Sequence, residues 1–146
     1  MIPCTDFIPA YSELFGYLEH RGGKQAVVGF WHYIADNFLG NLRELVEEHG
    51  IRGCWLYWMR TLNEEAADFQ MELDEETGEF RIIMYDCPSK GMLLSLTHME
   101  PYDDYCGHCP VLYSRVLEPL GYEFTTDLSE CDRARCSCTV RAKQNP

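Results

Sequence analysis

The chain has no apolar run near the length needed to span a bilayer. It is also poor in basic residues: 12 Lys and Arg stand against 24 Asp and Glu, for a net charge of −12. A surface of that sign repels phosphate backbones and anionic membranes, which argues against both nucleic acid and membrane as partners. No glycine-rich phosphate loop, serine-nucleophile motif or H-E-x-x-H pair is present. Internal repeats, low-complexity tracts and linkers are lacking as well. Met1-Ile2-Pro3-Cys4 offers neither a basic nor an apolar segment, so no signal peptide and a cytoplasmic location are expected.

Cysteine is abundant. Eight are present among 146 residues. In a reducing compartment they are expected as metal ligands, redox groups or buried thiols rather than disulfides. Five lie between Pro101 and Val140, as C-x2-C, then 21 residues, then C-x4-C-x-C. Cys4 and Cys54 read as small core hydrophobes.

Apolar content of 46% and aromatic content of 13% suit one globular domain over residues 1–146, with a cysteine-rich segment at about 101–140. Helical spacing marks Pro9–Arg21, closed by Gly22-Gly23, then Lys24–Phe38, Asn41–Glu48 and Arg52–Glu65. The period then changes to two. Phe69, Met71, Leu73 and Phe80, Ile82, Met84 flank Asp74–Gly78, which predicts a β-hairpin. A short helix starts at Pro88, and a longer one spans Tyr105–Leu120 and is capped by Gly121. Pro110 delays its regular start. Strands follow at Tyr122–Leu128 and Cys136–Arg141, and the tail 142–146 is expected to fray. The fold class is α+β: an N-terminal helical half packed on a four-stranded, mostly antiparallel sheet with interspersed helices. Trp31, Trp58, Phe80, Ile82, Leu112 and Leu117 are the expected core, and a homodimer is left open.

The spacing predicts a site. A helix of about 15 residues carries the chain roughly 22 Å away from Cys109. A strand of about seven residues brings it back by roughly 23 Å. Cys106, Cys109, Cys131 and Cys136 should therefore converge as a metal site for zinc or an iron–sulfur cluster. The helix N-terminus beside Cys106 and Cys109 favours thiolates. Cys138 shares a strand face with Cys136 and could replace it, and Cys87 is a further reserve. Inert buried thiols are the plain alternative.

Cys106-Gly107-His108-Cys109 also spells a redox motif, yet no strand is predicted before it and Asp103 and Asp104 disfavour a thiolate. His108 and His98 are the nearest histidines. His108 could hydrogen-bond a thiolate or act as an acid/base, with exposure to water expected first. His32 reads as a satisfied core histidine, with a pocket histidine as the alternative. Glu64, Glu65 and Asp68 read as a solvated acidic face, or as pocket carboxylates capable of acid/base work. Trp31, Tyr33, Trp55, Tyr57 and Trp58 read as core, or as the lining of an apolar pocket.

Over roughly residues 80–141 the chain resembles the L-2-amino-thiazoline-4-carboxylic acid hydrolase family. The resemblance rests on Cys87-Pro88, Gly91, Tyr105-Cys106 at a helix start, Gly121, and Cys131-Asp132 followed by Cys136. More distantly it is similar to the 4-vinyl reductase domains of the NO-signalling and Golgi-transport ligand-binding fold. Cys131 stands where that hydrolase pattern has glycine, one residue is inserted before Cys136, and Cys138 replaces an aromatic. The resemblance implies a small-molecule pocket with cysteines near one end, which in the vinyl reductase-like relatives can hold zinc. It points to hydrolysis of a C–N bond in a cyclic amidine-like compound. A non-catalytic ligand-binding module with a structural metal, and an iron–sulfur redox accessory protein, are the alternatives.

Overall fold

The computed structural model describes residues 6–65 and 67–144. Cys4 and the last two residues of the tail fall outside them. The helical half comprises α1 (Phe7–Phe38), α2 (Gly40–His49) and α3 (Ile51–Glu64). Helix α1 begins two residues before the expected Pro9. It kinks at Gly23, whose φ of 71° and ψ of −178° break the helical path. A residue with a β-carbon is strained there, so glycine lets one run of helix fold back across its own aromatic face. Gly50 then closes α2 at φ 60°.

The hairpin forms as β1 (Asp68–Asp74) and β2 (Glu79–Asp86). Asp74 Oδ1 accepts from the amides of Glu76 and Thr77, at 3.0 Å each, and organises the turn. Helix α4 (Pro88–Ser95) follows, then a 3₁₀ turn at Tyr105–Gly107 that leads into α5 (His108–Leu117). The irregular start expected from Pro110 is this 3₁₀ turn. After a second one, Glu118–Leu120, Gly121 adopts φ 89° and reverses the chain. Strand β3 (Tyr122–Asp127), a 3₁₀ turn at Cys131–Arg133 and β4 (Cys136–Ala142) complete the described chain. The sheet order is β1-β2-β4-β3, and every pairing is antiparallel.

One side of the sheet carries the core. Phe80, Val140 and Phe124 lie opposite one another across β2, β4 and β3. Trp58 of α3 stacks on both ends of that row, 5.7 Å from Phe80 and 6.2 Å from Phe124. Helix α5 packs between α1 and β3. All six expected core residues are buried, as is Cys54. A second aromatic cluster joins Tyr11, Phe15 and Trp31 of α1 to Tyr102 and Tyr105. The buried Ser12 hydroxyl accepts the Tyr102 amide at 2.8 Å, which ties the segment ahead of α5 to α1. Among the described residues no helix is long and apolar enough to cross a membrane.

Candidate functional site: a cysteine-lined cavity backed by an aromatic pocket

The strand row that begins with buried aromatics ends in cysteines. On β4, Cys138 and Cys136 follow Val140 on the same face, opposite Ile82 and Met84 of β2. Cys106 sits on the 3₁₀ turn and Cys109 in the first turn of α5. Cys131 opens the 3₁₀ turn before β4, and Cys87 directly precedes α4. These six line one cavity of about 70 Å³, with Lys90, Arg135, Tyr105 and His108 among its other walls. The four cysteines predicted from spacing are all there, and so are both reserves.

Two local features hold these turns together. The Cys87 amide donates to the Ala134 carbonyl at 2.7 Å, pinning the Cys131 turn to the start of α4. Ala134 takes a left-handed φ of 57° while buried, so the turn is held in place by its surroundings. Gly107 has a packing reason: a β-carbon there would lie 2.4 Å from Asp104 Oδ1. The glycine of the C-G-H-C run therefore serves a tight turn. Residues 96–104 form no strand ahead of it.

The thiols are not the thiolates that a helix N-terminus suggested. Burial outweighs the dipole. It pushes Cys106 up to about 12, opposed by the nearby Lys90 ammonium, and Cys109 well above the usual thiol range. Cys87 is raised by burial too, and Cys138 by its hydrogen bond to Cys136 and by burial. Cys136 alone is lowered, because the Cys138 thiol donates to it. The shifts also remove the acidic thiol that the redox reading needs.

His108 does not face water. Its ring is packed among Tyr11, Phe15, Trp31 and Tyr105, with centroids 4.8–6.4 Å away. Nδ1 bonds the Tyr105 carbonyl, and Nε2 lies 3.5 Å from Cys109 Sγ. Burial lowers its pKa and keeps the ring neutral. Because a carbonyl only accepts, Nδ1 holds the proton and Nε2 accepts from the Cys109 thiol. His98 is exposed and lines no part of the cavity. His32 is not in the core. It is half-buried on an open groove with Pro110 and Arg115.

Behind the cysteine cavity lies a larger pocket of about 650 Å³. Phe7, Tyr11, Tyr57, Tyr113 and Leu112 line it, with Glu65 as its charged group. Ser89, Tyr105 and His108 belong to both compartments and form the wall between them. Burial raises Tyr11 to about 12, and raises Tyr57 and Tyr113 as well. The acidic cluster divides. Glu64 pairs with Arg60 at 3.1 Å and Asp68 is exposed, as a solvated face requires. Glu65 is exposed over much of its surface yet lines the pocket, and burial followed by repulsion from Glu64 raises its carboxyl. Of the aromatic residues expected to line a pocket only Tyr57 does so. Trp31 and Trp58 are core, and Tyr33 is exposed. Tyr11, Ser89 and Tyr113 were missed: Tyr11 reads as part of an ordinary helical stripe, and nothing local marks Ser89 or Tyr113.

No protein-family model matches the chain, and neither a curated protein nor a solved structure matches it.

Proposed function

We propose that the chain is a small-molecule hydrolase acting on a C–N bond of a cyclic amidine-like compound, with a metal held by thiols beside the substrate pocket. The observation that carries this reading is the pairing of compartments: a cavity walled by six cysteines shares Ser89, Tyr105 and His108 with a pocket that carries a carboxyl. The donor set is soft, which suits zinc or an iron–sulfur cluster. Among the described residues no three His, Cys, Asp or Glu side chains already stand in coordinating positions. Loading therefore requires the thiols to lose protons and draw inward, as expected where metal binding is coupled to folding. When bound, zinc would supply structural closure or a Lewis acid.

The rest of the chemistry belongs to the pocket. Its tyrosine rings bind a flat, apolar body and exclude water from its faces. Glu65 takes the proton of a water molecule as that water attacks the amidine carbon. It then returns that proton to the ring nitrogen as the C–N bond breaks, and the second water proton leaves the new hydroxyl for the same amine, through the same carboxylate, as the carbonyl forms. Burial, and then repulsion from Glu64, raise this carboxyl, which favours its holding and returning the proton. The wall keeps the substrate off the thiols, so the metal's main role in this reading is to hold α4 and α5 beside the pocket they line.

The test uses oxygen-free, metal-analysed protein and 2-amino-thiazoline-4-carboxylate. Ring opening is expected, and Glu65→Gln should lower kcat by about 10²-fold or more. Metal-loaded protein that binds the compound without turning it over would replace this reading with the binding-module one. A visible absorption spectrum separates an iron–sulfur cluster from colourless zinc.

A further inference from the structure

We propose that the aromatic pocket binds an organic cation, its charge held by tyrosine rings and the Glu65 carboxylate. The inference rests on the pocket of the reading above and deepens it by naming the charge of what enters.

The lining decides the sign. Tyr11, Tyr57, Tyr105 and Tyr113 line the pocket with the carboxylate of Glu65, and among the described residues no lysine or arginine joins them. Lys90 and Arg135 line the cysteine cavity across the wall instead. His108 is shared by both, and burial keeps its ring neutral. An anionic ligand would therefore meet no opposite charge. Glu65 itself has no ion-pair partner among the described residues, whereas Glu64 beside it pairs with Arg60 at 3.1 Å. A neutral apolar ligand would strip water from that free carboxylate and give nothing back. A cation offsets the loss.

The rings add to the same preference. Tyr57 and Tyr113 are inclined by 69° with centroids 6.5 Å apart, so they meet as two walls of a corner. The negative face of an aromatic ring attracts a cation, most strongly where water is excluded. Glu65 is also the C-cap of α3, whose last turn carries no basic residue, so the negative end of that helix reinforces the carboxylate. The net charge of −12 draws cations toward the surface.

Size separates an organic cation from a bare metal ion. A volume of about 650 Å³ suits a ligand of drug size, and one carboxylate is too few oxygen ligands for a hard metal. Phe7 and Phe38, both largely exposed, extend the ring-lined wall to the opening. A protonated amidine meets these demands with a flat body and a delocalised charge, and its carbon is more open to water than that of the neutral form. A carboxylate on the same ligand, as in 2-amino-thiazoline-4-carboxylate, must point out through the open mouth.

Calorimetric titration of the full chain with benzamidine, benzamide and benzoate tests the proposal, since the three share one shape and carry +1, 0 and −1. Benzamidine should bind about tenfold or more tighter than benzamide, and benzoate should not bind. Phenyltrimethylammonium has no N–H to donate and should still bind, because the rings hold it. Glu65→Gln, a change at an exposed side chain, should weaken benzamidine by about threefold to tenfold. Benzamide bound as tightly as benzamidine, or benzoate bound more tightly, overturns the proposal. So does a Glu65→Gln protein that binds benzamidine as the parent does. Failure of phenyltrimethylammonium to bind overturns the role of the rings. Cation binding without ring opening of 2-amino-thiazoline-4-carboxylate leaves this inference standing and removes the hydrolase. Ring opening without preference for benzamidine does the reverse.

Discussion

The two compartments stand back to back on Ser89, Tyr105 and His108, yet they are built in opposite ways. The cysteine cavity is small and walled chiefly by turns and one strand, all within residues 87–138. The aromatic pocket is about nine times larger and open, and its walls come from α1, α3, α4 and α5, so residues as far apart as Phe7 and Tyr113 meet there. Short-range construction suits a site whose shape a metal can complete. Long-range construction suits a pocket whose shape the core must fix. One side of the wall should therefore respond to metal and the other to packing.

The largest effect should come from breaking both sides at once. Trp58 bridges the helical half and the sheet through Phe80 and Phe124. Trp58→Ala should cost about 3–5 kcal/mol in urea unfolding. Metal release and the tyrosine fluorescence change should occur in the same transition. Separate transitions would mean that the compartments do not share one core.

An intermediate effect comes from comparing two cysteines. Cys54 is wholly buried in α3, away from the cavity, and burial pushes its thiol up to about 12. Cys54→Ser buries a hydroxyl and should cost about 1–3 kcal/mol with metal content unchanged. Cys106→Ser should weaken zinc binding more than tenfold, about 1.4 kcal/mol, and lower the melting temperature only of the loaded protein. Calorimetry with metal analysis of both variants checks the contrast. It is reversed if Cys54→Ser loses metal while Cys106→Ser keeps it.

The architecture was readable because each element carries its own signal. The period changes from helical to alternating at Phe69, and Gly23, Gly50, Gly78 and Gly121 mark reversals that all take positive φ. That these cysteines line one cavity was readable because a helix and a returning strand of similar span must bring their ends together. What escaped depends on phase and distance. The 3₁₀ turn at Tyr105–Gly107 rotates His108 inward, where a regular helix from Tyr105 gave no reason to expect it. Burial reversed the dipole argument for Cys106 and Cys109, and depth is not visible in spacing. Tyr11 and Tyr113 meet Tyr57, which the aromatic stretch of α3 already offered as a pocket residue, only in three dimensions.

The smallest effect is the most specific to the pocket. Glu65 is the carboxyl at its edge, and its pKa is raised first by burial and then by Glu64. A carboxyl raised in the folded state favours folding when protonated and opposes it when ionised. The cost is therefore absent below the unfolded value of about 4.3. It grows as pH rises through the raised folded value and is complete above it. Glu65→Gln removes the ionised form, so the variant should be more stable than the parent at pH 7. The gap should close as pH falls toward 4. Because the side chain is well exposed, solvent screening limits the gain to about 1 kcal/mol or less. Activity should move the other way, since glutamine neither accepts nor returns a proton. Urea melts between pH 4 and 8, run beside turnover assays, test both directions. A parent more stable than the variant at pH 7 would mean that the ionised Glu65 is held by a favourable contact. The carboxyl would then no longer be poised for proton transfer, and the pocket would differ from the cavity only in size.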